Sequence, residues 1–285
     1  MVRLRMVIDC FMEAWEFLKT SGQAAFIKLL KITTLSYLVA VLFILTALIP
    51  FFVLDGRTDI STIIIPLLFS IGVIFLGIFF SSVVSSISLN VIDGMFQKRE
   101  ASIKTKFMGN LIPMLKWSVF RVALFSPYIV LYYWFFTSAA SSIDYEFSSL
   151  LFTLVKRSID LVSVVIGFFI MFGIYELIIA RQGLFPSLLR SINLVKNNFI
   201  ETVAFVIIKG IINSLLVIPL IILFLLYVFL LIASASSIPN AALLIAAVGV
   251  LLLFVSLIFF SALSATIFIP LEYIYWKKIR EKNTN

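Results

Sequence analysis

Six charged side chains lie at the ends of long apolar stretches, where a charge must either be paired or reach water. They are the acids Asp93, Glu176 and Glu272 and the bases Lys31, Arg121 and Lys209. A charge at the centre of a membrane costs on the order of 3 kcal/mol on insertion scales, and less near the surface, where long side chains reach water. The pattern predicts acids and bases that pair with one another or anchor helix ends in the inner leaflet. A proton or ion site is the alternative.

Two apolar stretches change to hydroxyl-rich sequence before they end. Residues 81–93 and 261–272 carry serines at matching distances from the closing acid, whereas the corresponding residues 165–176 have none. The candidate polar side chains are Ser82, Ser85, Ser86, Asn90, Ser261, Ser264 and Thr266. The two sets are predicted to face each other across a polar cavity that is open to the cytoplasm. Close packing of small residues between two helices is the competing interpretation.

The residues that usually carry catalysis or bind metal are scarce. The chain has no histidine and a single cysteine, Cys10, so it forms no intrachain disulfide and lacks the commonest metal ligand. It contains no His-Glu-x-x-His motif, no glycine-rich phosphate loop and no Gly-x-Ser-x-Gly elbow. We therefore predict no catalytic residue, no metal and no cofactor. An intramembrane enzyme is the least favoured function.

The composition is that of an integral membrane protein. Hydrophobic residues make up 62% of the 285 residues and charged residues 13%, whereas a soluble domain carries about a quarter charged residues. Stretches such as 63–80 and 241–260 contain no charge and are long enough to cross a hydrocarbon core of about 30 Å. We predict six transmembrane helices, at about 32–54, 61–92, 117–137, 158–180, 203–233 and 240–272.

The distribution of positive charge predicts the orientation. The two termini and the loops 93–117 and 181–202 hold most of the 22 lysines and arginines, and the other three loops hold only Arg57, Lys156 and Arg157. Because basic loops stay in the cytoplasm, both termini of this multi-pass cell-membrane protein are predicted to be cytoplasmic. The N-terminus lacks the apolar segment of a cleavable signal. The net charge of +8 indicates contact with anionic lipids at the cytoplasmic leaflet rather than with nucleic acid.

Three amphipathic segments precede the odd-numbered transmembrane helices. Residues 186–199 place apolar side chains at helical spacing, and residues 7–19 and 101–112 do the same. The stretches AWEFLKT (14–20) and SINLVKN (191–197) match position by position in residue type. The apolar face of the first segment is predicted to contain Val7, Phe11, Trp15 and Leu18. Each segment is interpreted as an interfacial helix on the inner leaflet, with a docking groove or a regulatory switch as the alternative.

The repeated segments predict the fold. The chain is expected to be one all-α integral membrane domain, residues 1–285, whose six transmembrane helices form three repeated helical hairpins. Each hairpin is preceded by a cytoplasmic interfacial amphipathic helix, and the units cover about 7–93, 101–177 and 186–272. Features that all units share are architectural, so differences between units are better candidates for a site.

The stretch ARQGLFPSLLRSINLVKNNF, at 180–199, is the sharpest motif of a family resemblance that covers the whole chain in layout. Together with six spans and cytoplasmic termini, it resembles a broad group of prokaryotic membrane proteins. That group includes the membrane domain attached to some glycerophosphodiester phosphodiesterases. No such phosphodiesterase domain is present in the 285 residues, so the resemblance does not imply that activity. It implies a stand-alone membrane module without assigned chemistry.

Two functions fit these patterns. The first is a non-enzymatic integral membrane protein that organises lipid, or a protein partner, at the inner leaflet. The alternative is a transporter of a small solute or a lipid that uses the serine-rich cavity. Membrane lipids, anionic at the cytoplasmic leaflet, are the expected partners of either.

Overall fold

The structure is a computed structural model that describes residues 2–53, 60–98, 103–140, 145–235 and 239–284. Within these ranges the chain is all-helical, with no β-strand. The helices are α1 (Val2–Val53), α2 (Ile60–Phe96), α3 (Ile103–Ala140), α4 (Tyr145–Ile170), α5 (Gly173–Ile178), α6 (Leu184–Asn197), α7 (Phe199–Ala235) and α8 (Pro239–Lys282).

Long apolar sequence explains the helices. A membrane offers no water to backbone N–H and C=O groups, so an apolar segment forms a helix, in which these groups bond to one another. In the part of the chain that the structure describes, four helices are long and apolar enough to cross a membrane. Their apolar segments are Arg5–Leu42, Phe75–Phe96, Phe199–Leu230 and Val248–Lys282. These segments of α1, α2, α7 and α8 support the prediction of a transmembrane protein.

The predicted fourth transmembrane helix, 158–180, is interrupted, because two residues, 171 and 172, separate the end of α4 from the start of α5. Ser191 of α6 stabilises this break. Its hydroxyl donates to the carbonyl oxygen of Phe169 (2.9 Å) and accepts from the backbone N–H of Phe172 (3.1 Å). These two bonds satisfy backbone groups that lose their helical partners at the interruption. The prediction of one continuous helix here is wrong.

The same helix begins earlier than predicted. Lys156 and Arg157 were expected in an outer loop, but α4 starts at Tyr145 and contains both. Lys156 forms an ion pair with Asp160 one turn later, with Nζ and Oδ2 3.6 Å apart, and such pairs support a helix. These charges also explain why α4 is not one of the four helices that are long and apolar enough to cross a membrane.

One of the three predicted interfacial helices is a separate helix. It is α6, which ends at Asn197, and α7 begins at Phe199. The segment 7–19 continues without a break through α1, and the described part of segment 101–112 continues through α3. No proline precedes Pro50 in α1, and helical periodicity alone does not say where a helix ends. The expectation of three separate interfacial helices is corrected accordingly.

The first of two compact units contains the termini of the chain. It comprises Met1–Val39, Ser88–Ala101 and Asn198–Asn285. In its core, the Phe96 ring stacks on Phe17 and on Tyr273, with centroid distances of 4.5 and 5.1 Å. The rings of Phe205 and Tyr275 stack at 4.2 Å. These contacts pack α1, the end of α2, α7 and α8 together.

The second unit contains the middle helices. It comprises Ala40–Ile87 and Ser102–Asn197. Gly173 allows α5 to approach α3, because a Cβ at this position would lie 3.0 Å from the ring of Trp117. The Asn110 amide donates to the Ser86 hydroxyl (2.8 Å) and thereby joins α3 to α2.

Candidate functional site

The predicted pairing of acids and bases is present at one position. The Lys209 ammonium of α7 bonds to the Glu272 carboxylate of α8. The same ammonium lies 5.7 Å from the centre of the Phe268 ring, one turn before Glu272. The cation therefore has two favourable neighbours on the adjacent helix.

The other two acids have partners that the sequence did not predict. Glu176 is fully buried, and its Oε2 lies 3.7 Å from Nε of Arg190. Asp93 accepts hydrogen bonds from the Tyr273 hydroxyl (2.8 Å) and from the Gln97 amide (2.7 Å). Arg190 could have been predicted as a partner, because it is a positive charge on the polar face of the amphipathic segment. Tyr273 could not, because a tyrosine in apolar sequence does not indicate its partner.

Two of the predicted bases are not paired with these acids. Among the described residues, no ion pair joins Lys31 or Arg121 to Asp93, Glu176 or Glu272. Lys31 is exposed and lies in the middle of the continuous helix α1, not at a helix end. Arg121 is partly buried on α3.

Several hydroxyls of the predicted serine cavity bond to their own helices. Ser82 donates to the carbonyl of Ile78 (2.8 Å), Ser85 to that of Ser81 (2.9 Å) and Thr266 to that of Ala262 (2.7 Å). Ser82, Ser86 and Thr266 are buried, Ser85 is exposed, and Asn90 is partly buried. Such bonds let hydroxyls pack in apolar surroundings without a cavity. That the serines of α2 face those of α8 stays a prediction.

Ser261 and Ser264 line a groove in unit 1, and we refer to it as the α7–α8 groove. Its volume is about 480 Å³. The lining residues are Lys209, Asn213, Leu216, Val217, Leu220, Leu257, Phe260, Ser261, Ser264, Ala265 and Phe268. The sequence predicted a polar cavity beside these two serines, and it missed Asn213 as a lining residue because a single asparagine in apolar sequence has many interpretations.

The α7–α8 groove changes from polar to apolar along its length. Lys209 and Asn213 lie toward one end, and Leu220 lies at the other end of the α7 wall. On the facing wall, Ser264 and Ser261 lie toward the polar end, and Leu257 lies at the apolar end. Ser261 also shares a hydrogen bond of 2.7 Å with the Tyr37 hydroxyl of α1. A groove with this polarity suits an amphiphile, whose head and tail need different surroundings.

Two segments, in α1 and α6, share one pattern of burial. In each helix, a row of apolar side chains that ends in a lysine lies on the face that points away from the packed core. We call this row a stripe. The stripes are Ile8, Met12, Trp15 and Lys19 in α1, and Phe185, Leu189, Ile192 and Lys196 in α6. The buried residues behind them, at matching positions, are Cys10, Ala14 and Phe17 in α1, and Ser187, Ser191 and Leu194 in α6. At these positions the two segments thus resemble each other in side-chain burial as well as in residue type.

The structure corrects the predicted apolar face of the first segment. Val7 and Trp15 were expected on one face, but Val7 is fully buried, whereas Trp15 is 59% exposed. The apolar arc is wider than one contact surface, so part of it packs inside unit 1 and part remains outside. The Trp15 ring lies 5.8 Å from the Lys19 ammonium within the stripe.

No protein-family model matches this sequence, and no curated protein or solved structure matches it either. The α7–α8 groove and the two stripes are therefore the observations from which a function follows. In the part of the chain that the structure describes, no group of three acidic, cysteine or histidine side chains is arranged to hold a metal ion.

Proposed function

We propose that this protein is a non-enzymatic, multi-pass protein of the cell membrane that organises anionic lipid at the cytoplasmic leaflet. The observation that carries the proposal is the pair of matched stripes on α1 and α6. Each stripe exposes apolar side chains of considerable size, such as Met12 (63% exposed) and Leu189 (63% exposed), and ends in a lysine. An exposed row of this kind is unfavourable in water but favourable at a lipid surface.

The chemistry of a stripe matches the boundary between head groups and acyl chains. The apolar side chains enter the acyl boundary, while Lys19 and Lys196 remain level with the phosphates. Trp15 belongs to the aromatic residues that prefer this depth. A lysine near an anionic surface contributes about 1 kcal/mol, so Lys196 favours anionic over neutral lipid by about fivefold. Lys19 contributes less, because its ammonium lies 2.8 Å from the Glu16 carboxylate.

In this proposal the chain crosses the membrane six times, as three hairpins with cytoplasmic termini. The positive charge of the loops and the four long apolar helices support it. The α1 helix has 52 residues, about 78 Å, and therefore extends well beyond a hydrocarbon core of about 30 Å. The proposal therefore requires α1 to be tilted, so that its N-terminal segment meets the cytoplasmic surface instead of projecting from it. The resemblance to the membrane domain of some glycerophosphodiester phosphodiesterases agrees with this layout and stays a prediction.

The α7–α8 groove favours a second candidate function, a transporter of a lipid or small solute. Ser261 and Ser264 supply hydroxyls, and hydroxyls can line a path near the inner leaflet at lower cost than a buried charge. Transport requires that the groove open in turn to both sides of the membrane. If the groove binds a lipid or solute but does not release it on the outer side of the membrane, the protein organises lipid and does not transport it.

Removing the two stripe lysines tests the proposed function. We expect that the wild-type protein, extracted with its lipids in polymer-bounded particles, carries a larger anionic fraction than the bulk membrane. The Lys19→Gln/Lys196→Gln double variant should lose most of this enrichment, as measured by mass spectrometry of the extracted lipids. Lys156→Gln is the matched control, because it removes a lysine on the proposed outer side. Equal enrichment in the wild type and the double variant would refute the proposal.

A further inference from the structure

Lys209, which lines the polar end of the α7–α8 groove, belongs to a charge pair that remains accessible. Its partner Glu272 lies beside the residues that line the groove, one turn beyond Phe268. The side chains of Lys209 and Glu272 are 31% and 21% exposed. Their charges cancel, so the pair attracts neither anions nor cations at long range. Asn213 and Ser264 add an amide and a hydroxyl to the same end of the groove. These groups can donate and accept hydrogen bonds at once.

A neutral charge pair discriminates among lipid head groups. An anionic head group that approaches Lys209 meets the negative charge of Glu272, and the two effects oppose each other. A head group with a phosphate and a primary ammonium bonds to both partners, the phosphate to Lys209 and the ammonium to Glu272. A quaternary ammonium has the same net charge but no N–H to donate to the carboxylate.

The length of the groove matches one acyl chain in one leaflet. From Lys209 to Leu220, α7 rises by about 16 Å, which is close to half of a hydrocarbon core of about 30 Å. Leu216, Val217 and Leu257 form apolar wall beyond the polar end. The volume of about 480 Å³ lies within the range of sites that hold small molecules.

A second cavity extends the apolar path along the same two helices. It has a volume of about 510 Å³, and its walls include Leu223 and Leu226 of α7 and Leu252 of α8. At its far side the Tyr227 ring occupies the place that a side chain at Gly249 would need. The seam between α7 and α8 therefore offers one polar end followed by apolar surface, in the order of the parts of a lipid.

We propose that the α7–α8 groove is a binding site for a single phospholipid with a zwitterionic head group that contains a primary ammonium. The phosphate bonds to Lys209, the ammonium bonds to Glu272, and one acyl chain lies along the wall toward Leu220. This site is distinct from the stripes, which contact the leaflet surface and favour anionic lipid. It depends on the proposed function only for the leaflet that supplies the lipid.

Native mass spectrometry of the delipidated full chain in detergent tests this site. The probes are phosphatidylethanolamine, phosphatidylcholine and phosphatidylglycerol with identical acyl chains. We expect a one-to-one adduct with phosphatidylethanolamine that is preferred roughly fivefold over the other two lipids, the effect of one charge-assisted hydrogen bond at a partly exposed site. Equal binding of all three lipids, or no adduct, would overturn the proposal.

Variants of the charge pair separate the two contacts. Glu272→Gln should abolish the preference for phosphatidylethanolamine over phosphatidylglycerol, because the repulsion of the anionic lipid disappears. Lys209→Gln should weaken both lipids, because both use the phosphate contact. Lys31→Gln, which changes an exposed lysine outside the groove, should leave the preference unchanged. An unchanged preference in Glu272→Gln would contradict the assignment of the ammonium contact.

A third variant fills the groove and guards against a folding artefact. Ser264→Leu should displace the lipid, whereas Ser214→Leu adds the same side chain to an exposed position of α7 outside the lining. If the two variants are equally stable to heat and only Ser264→Leu loses the adduct, the result supports the lipid-binding site in the groove. Retention of the adduct in a stable Ser264→Leu variant places the lipid elsewhere and overturns the proposal.

The stripe variant distinguishes the two proposals. Lys19→Gln/Lys196→Gln should keep the phosphatidylethanolamine adduct in detergent while losing anionic enrichment in the membrane. If anionic lipid is not enriched around the protein but the adduct still prefers phosphatidylethanolamine, the binding site in the groove is supported and the proposed function is refuted. If the adduct shows no preference, the groove assignment fails whatever the stripes do.

Discussion

Glu176 and Arg190 show, at the scale of single residues, how a buried charge is compensated. The carboxylate has no exposed surface, and Arg190 of α6 supplies a positive charge at 3.7 Å. Removing one member of such a pair leaves the other charge buried without it, which costs far more than the pair itself contributes. The ion pair therefore ties α6 to α5.

We expect Arg190→Leu to lower the free energy of unfolding by about 2 kcal/mol, less than for a fully buried pair because Arg190 is about one-third exposed. The double variant Glu176→Gln/Arg190→Leu should recover most of this loss, because it leaves no buried charge. Thermal unfolding in detergent, followed by tryptophan fluorescence, measures both variants. An Arg190→Leu protein as stable as the wild type would contradict this account of the pair.

Side-chain pairs were predictable from the sequence only where two signals coincided. Lys209 and Glu272 were among the six charges expected to pair, because both lie near the ends of apolar stretches, but only the structure shows that these two bond to each other. Arg190 was missed as a partner because its neighbours on the polar face suggested contact with water. Asp93 was expected to meet a base, but it is satisfied by a tyrosine and an amide, which formal charge does not reveal.

The interruption between α4 and α5 is the main departure at the scale of elements. No proline marks it, and the glycine at its end, Gly173, is common enough in transmembrane helices to carry little information. The break depends on Ser191 of another helix, so it belongs to tertiary structure and not to local sequence. The continuity of α1 was missed for a related reason, because periodicity defines faces and not ends.

Ser191→Ala should destabilise the protein by about 1–2 kcal/mol, because the N–H of Phe172 and the carbonyl of Phe169 both lose a partner in buried surroundings. Ser187→Ala is a matched control on the same face of α6. Ser187 is fully buried, and its hydroxyl makes no hydrogen bond among the described residues, so its removal should be neutral or stabilising. Thermal unfolding of the two variants in detergent should differ in this order, and the opposite order would show that Ser191 does not stabilise the break.

At the scale of the whole molecule, the helical class was predictable, and the repeat of three hairpins stays a prediction. Composition identified a helical membrane protein, and the positional match between residues 14–20 and 191–197 anticipated the common burial pattern of α1 and α6. The packing of the chain into two units was not anticipated, because unit 1 joins segments from both ends of the sequence. Such long-range packing depends on helix contacts that hydropathy does not encode.

The central claim is that the α6 stripe lies in the cytoplasmic lipid surface, and cysteine labelling tests it most directly. Asn193→Cys and Leu189→Cys, each combined with Cys10→Ser, place one thiol beside the stripe and one within it. With a membrane-impermeant maleimide, Asn193→Cys should react in inverted vesicles and not in intact cells. Leu189→Cys should remain unlabelled in both until detergent is added, because its side chain is in lipid. Labelling of Asn193→Cys in intact cells, or equal labelling of both positions in inverted vesicles before detergent, would contradict the claim.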